Sequence, residues 1–148
     1  MTKILLVDDA TEIINLLVFI LKTQRYDIIT ASNERDALQC YEGHQPDLII
    51  MDLTMPLMSG VELIKKIRSQ SNAVPILALS GNAEVTGCPQ QNILLLQKPV
   101  SVTDILSAIK KLLSLKLDGS ELEVQWRSLF AIDKKSTTKF CDDPFVEL

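Results

Sequence analysis

The chain has 148 residues, 47% hydrophobic and 23% charged, the composition of one ordinary globular domain with a full core. A net charge of -4 and a pI near 5.0 exclude a basic nucleic-acid surface. The longest apolar stretch, Leu16 to Leu21, is far too short to cross a bilayer. Cys40, Cys88 and Cys141 are odd in number, far apart and without metal-ligand spacing. With strand-like residues starting at Lys3 and no signal peptide before them, a reduced, cytoplasmic setting is expected.

In chain order, residues 3–7 read as a buried strand and Thr11 to Thr23 as a helix with apolar positions at helical spacing. Asp27 to Ala31 is a second strand, and Asn33 caps a helix running to Glu42 with Gly43 closing it. Residues 47–51 form a third strand, apolar on both faces as a parallel-sheet interior requires. Ser59-Gly60 opens a helix to about Ser69, and residues 75–79 and 93–96 are two further strands. Between those two strands Gly87 and Pro89 break any helix, so a helix there should be short or irregular. Ser101 caps a last helix through Ile105, Ile109, Leu112 and Leu113.

Strand and helix alternate five times, which predicts an α/β fold with a parallel sheet and helices on both faces. Residues 1–117 make the domain and 118–148 a C-terminal tail, partly packed on it. In that tail Leu122, Val124, Trp126, Leu129 and Phe130 fit a strand or a helix, and the polar end from Asp133 should be disordered. In the first helix Ile13, Leu16, Leu17, Ile20 and Leu21 suffice for a buried stripe, leaving Ile14, Val18 and Phe19 as a surplus apolar patch. Leu122, Trp126, Leu129 and Phe130 are expected to cover it, within the chain or across a homodimer.

The polar residues that close the strands carry the chemistry. The first strand runs into Asp8-Asp9, the third into Asp52, the fourth into Ser80-Gly81 and the fifth into Lys98-Pro99. Ligands of open α/β sheets bind at the carboxyl ends of the strands, so three carboxylates, a hydroxyl and an ammonium converge there. Clustered carboxylates repel unless a cation sits among them, and oxygen ligands with water suit Mg²⁺. Lys98 can neutralise a carboxylate or phosphate as a point charge.

Four blocks, Asp8-Asp9, Asp52 to Gly60, Ser80-Gly81 and Lys98-Pro99, in this order over residues 1–115, resemble the receiver domain of two-component response regulators. The resemblance implies a flavodoxin-like, doubly wound five-stranded sheet of order 2-1-3-4-5. It implies Asp52 as phosphoacceptor from a phosphohistidine of a sensor histidine kinase or phosphotransfer protein. Mg²⁺ would be held by Asp9, Asp52 and the Thr54 carbonyl, with Asp8 acting through water. Lys98 would contact the aspartyl phosphate and Ser80 would move to hydrogen-bond it. Because the tail of about 30 residues is too short for a separate DNA-binding domain with its own core, the chain is expected to act through protein contacts, or to relay phosphate to a further histidine protein, and not through nucleic acid or membrane.

Two departures bear on output. The family usually carries an aromatic residue three positions before the lysine, where this chain has Leu95, and the connection after Ser80 is short. Phosphorylation chemistry is expected intact while the output surface differs. An alternative is a receiver-fold interaction module that works without phosphate. A second is an aspartate-nucleophile phosphohydrolase, which needs a second acid two residues after the nucleophile, where Thr54 stands. A phosphoacceptor switch, not an enzyme, is the expectation.

Overall fold

The computed structural model describes residues 2–9, 11–53, 60–70, 74–80, 85–88, 92–97, 101–114 and 138–140. In chain order these form β1 (Lys3–Val7), α1 (Thr11–Thr23), β2 (Asp27–Ala31), α2 (Glu34–His44), β3 (Leu48–Asp52) and α3 (Gly60–Gln70). There follow β4 (Ile76–Ser80), β5 (Val85–Cys88), β6 (Ile93–Gln97), α4 (Val102–Ser114) and β7 (Thr138–Phe140).

The sheet order is β2-β1-β3-β4-β6-β5-β7. Its first five members pair in parallel, so the doubly wound sheet of order 2-1-3-4-5 is present, with β6 as the fifth strand. Because side chains alternate along a strand, each continuous apolar run feeds two cores. Leu5, Val7, Ile49, Met51, Ile76 and Ala78 face one way and pack with Ala37, Leu63, Ile64 and Ile67 of α2 and α3. Ile4, Leu6, Leu48, Ile50, Leu77 and Leu94 face the other way and pack with Leu17 and Leu21 of α1 and Ile105, Ile109 and Leu112 of α4. Each aliphatic side chain so buried stabilises the fold by roughly 1.5–3 kcal/mol.

Local caps follow the chemistry of their residues. The Asn33 side chain accepts from the Asp36 amide at 2.8 Å, and the Ser101 hydroxyl accepts from the Asp104 amide at 3.1 Å, each filling an orphan donor of a first turn. The expected stop at Gly43 is corrected. α2 continues to His44, and Gln45 takes the left-handed cap with φ 49 while its amide donates to the Tyr41 carbonyl at 3.1 Å. Pro46 follows Gln45 and disfavours right-handed helix there, so the chain turns at the proline rather than at the glycine.

The buried stripe of α1 is also corrected. Leu17 and Leu21 are buried and Ile14 and Val18 pack against the core, whereas Leu16 is 58% exposed; Phe19, placed in the surplus patch, is 70% exposed as expected. The apolar period was legible; its phase was set by the sheet beneath.

In the connection from β4 to β6 the described residues form strand β5, antiparallel to β6, in place of a helical turn. Val85 and Thr86 are β-branched, and Gly87 and Pro89 disfavour helix, so extended backbone is the lower-energy choice. The polar tail end, expected to be disordered, contains β7, paired in parallel with β5. The packing expected of Leu122, Trp126, Leu129 and Phe130 lies outside the described residues.

Candidate functional site

The acidic rim is a product of register. β1 and β3 are neighbours with Val7 opposite Met51, so the next residues, Asp8 and Asp52, leave the sheet side by side. Both are held in the ladder. The Asp8 amide donates to the Ala31 carbonyl at 3.1 Å, and the Leu53 amide donates to the Leu79 carbonyl at 2.9 Å. By strand alternation both side chains share the parity of Leu6 and Ile50, so they lie on the same side of the sheet. Asp8 is 4% and Asp52 6% exposed, and Asp9, one residue on, is half-buried.

Two carboxylates held on neighbouring strands and mostly removed from water repel and lose hydration, which favours a cation beside them. Among the described residues no group of three His, Cys, Asp or Glu side chains could hold a metal ion. Mg²⁺ does not need such a group, because it is usually held by one or two carboxylates and keeps several waters. Hard oxygen donors on two adjoining strand ends, both largely buried, fit that ion.

β4 adds the next position along the rim. Leu79 pairs with Asp52, and Ser80, the last residue of β4, lies one residue farther out, opposite Gln97 at the end of β6. The structure thus brings Asp8, Asp9, Asp52 and the backbone of Ser80 to one rim. Thr54 and Lys98 lie outside the described residues.

The opposite end of the sheet also has features the sequence did not announce. The Arg68 guanidinium donates from Nη2 to the Val74 carbonyl at 2.5 Å and to the Asn92 carbonyl at 3.4 Å, tying the starts of β4 and β6 together. Nearby a groove of about 510 Å³ opens beside Tyr41, Glu42, Pro46 and Pro75. It lies at the amino ends of β3 and β4, away from the rim where such sheets place chemistry, and we assign it no part in the site. The buried Asn92, with φ 56, closes the turn into β6; a lone Asn before a strand carries no signal for that role.

Comparison with known proteins agrees with the geometry. The family model described as the response regulator receiver domain matches residues 4–110. The CpxR homolog of Haemophilus influenzae, a transcriptional regulatory protein, is 36% identical over 118 residues, 76% of this chain and 51% of its own length. The alkaline phosphatase synthesis regulator PhoP of Bacillus subtilis is 43% identical over 82 residues, 55% of this chain and 34% of its own. The chain therefore spans about a third to a half of the length of these curated relatives. Among solved structures, the chemotaxis response regulator CheY4 of Vibrio cholerae superposes with a TM-score of 0.64 at 29% identity, covering 76% of this chain and 98% of that one. A histidine kinase, ThkA, in complex with the response regulator TrrA gives 0.67 at 30% identity, covering 76% and 98%. With a family match over most of its length and its acids in register on the rim, the chain belongs to the response regulator receiver domain family.

Proposed function

We propose that Asp52 accepts a phosphoryl group from a phosphohistidine of a sensor histidine kinase or phosphotransfer protein, and that this changes the protein's contacts with a downstream partner. The observation that carries this reading is the buried Asp52 at the end of β3, beside the buried Asp8 at the end of β1. A carboxylate oxygen of Asp52 attacks phosphorus, the phosphorus–nitrogen bond to histidine breaks, and the imidazole keeps the electron pair. Asp9, Asp52 and the Thr54 carbonyl would hold Mg²⁺, with Asp8 acting through water. The ion would neutralise charge on the transferring phosphoryl oxygens. Lys98 supplies a second cation, and the Ser80 hydroxyl donates to the new phosphate.

The role of this chain is that of a switch: the acceptor is its own side chain, and no second acid follows Asp52 at the position of Thr54. A relative solved in complex with a histidine kinase supports the class of donor. Leu95, where the family usually has an aromatic reporter, is 6% exposed and packed in the core under α2 and α3. Output through that residue is therefore unavailable, which shifts the readout to other parts of the rim.

Incubation with Mg²⁺ and acetyl phosphate, followed by intact-mass measurement, tests the proposal. The expected result is one added phosphoryl group in the native chain and none in Asp52→Asn. Uptake by Asp52→Asn equal to that of the native chain would show another acceptor.

A further inference from the structure

The two faces of the sheet carry unlike helices. On the outer surface of α2 and α3 polar side chains meet one another, Lys66 bonding Glu34 and the Gln70 amide donating to the Glu42 carboxylate at 3.1 Å. The helices of the other face, α1 and α4, hold every exposed large hydrophobic residue among those described: Leu16, Phe19 and Val102. Leu16 and Phe19 stand together, 58% and 70% exposed, on a helix whose inner side is already filled by Leu17 and Leu21. Apolar surface left in water at two neighbouring positions favours association.

The stripe that contains them is self-complementary. Glu12, Leu16, Phe19 and Thr23, all exposed, recur at three- and four-residue spacing and so form one line along α1, with the exposed Lys22 beside its end. A two-fold axis midway between Leu16 and Phe19 lays this line antiparallel on its copy. Leu16 then meets the partner's Phe19, and Glu12 meets the partner's Thr23 and the partner's Lys22. A parallel pairing would instead set Glu12 against its own copy. At the shallow crossing of about 20° common for packed helices, side chains one or two turns from the axis stay in reach. Among the described residues neither Glu12 nor Lys22 takes part in an ion pair.

We propose that this stripe joins two copies of the chain, α1 packing antiparallel on α1 with Leu16 and Phe19 at the centre and the Glu12–Lys22 pairs at either end. Such a contact is isologous: one patch serves both copies and closes on itself, so it makes dimers and not fibres. Its centre is apolar and its margin charged, the usual anatomy of a protein interface. One helix face is smaller than the roughly 800 Å² per partner of a standard interface, so the dimer is weak and depends on concentration. The contact does not rest on the phosphoacceptor role of Asp52.

Sedimentation velocity on the full chain over about 5–500 µM tests the interface. The weight-average mass should rise from that of the 16.5 kDa chain toward twice that value. Phe19→Glu and Leu16→Glu, at exposed positions, should keep the native far-ultraviolet spectrum and stay monomeric throughout. Glu12→Lys and Lys22→Glu should each weaken association about tenfold, and the two together should restore it, because the reversed pairs attract again. A native chain that stays monomeric would overturn the proposal. A lower Tm of Phe19→Glu would then assign the patch to a segment of the same chain, and an unchanged Tm to a different protein. Association that survives Phe19→Glu would place the interface elsewhere and overturn it equally. Failure of the double variant to recover would overturn the antiparallel register.

Discussion

At the rim the controlling quantity is charge held away from water. Asp8 and Asp52, each less than a tenth exposed, stand on neighbouring strands, so little solvent screens them from one another. Mg²⁺ should raise the Tm of the native chain and leave Asp52→Asn nearly unchanged, because a ligand stabilises only the state that binds it. A rise of equal size in both proteins would contradict a part for Asp52 in holding the ion.

Elsewhere at this scale, charge acts on an exposed pair. Lys66 on α3 bonds Glu34 on α2, and that hydrogen bond, followed by Coulomb attraction to Glu34, raises the lysine above its ordinary 10.5. A raised value means the folded state holds the proton more tightly. The stabilisation is therefore complete below pH 10.5 and is lost as pH rises through the folded value. Solvent screening keeps the effect small. Lys66→Met should flatten the alkaline limb of a stability–pH curve and change little near neutrality; an unaltered alkaline limb would contradict this.

At the scale of elements, caps decide where helices stop. Gly43 lies inside α2, and a Cβ built on it meets nothing within 4 Å. Gly43→Ala should therefore stabilise by about 0.5–1 kcal/mol in denaturant unfolding, the ordinary helix-interior difference. Loss of stability would indicate that the helix ends at the glycine after all. This position also shows what the sequence could and could not disclose. Gly43 carried a stop signal, but the stop lies at Gln45 because Pro46 constrains it from the next position.

The same division recurs along the chain. β1, β3, β4 and β6 were legible because strands buried on both faces must be continuously apolar, and their closing residues, Asp8, Asp52 and Ser80, were legible because a polar residue there stands at a ligand-binding rim. The phase of the α1 stripe was not, since Leu16 and Leu17 are equally apolar and only the sheet beneath selects between them. β5 and β7 were not legible either. A strand of three residues such as Thr138–Phe140 shows no period, and its partner is about fifty residues away in sequence.

Over the whole molecule, one rim collects the acids of β1 and β3, the end of β4, and the first paired residues of β5 and β7. Thr138 stands four strand spacings, about 19 Å, from Asp52 along that rim. The proposed function rests on covalent chemistry at one carboxylate. Borohydride reduction after incubation with Mg²⁺ and acetyl phosphate, followed by peptide mapping, locates that carboxylate, since an acyl phosphate is reduced to an alcohol. Homoserine at position 52 is the expected product; homoserine at Asp8 or Asp9 instead, or no reduced residue in protein that has gained the phosphoryl mass, would contradict it.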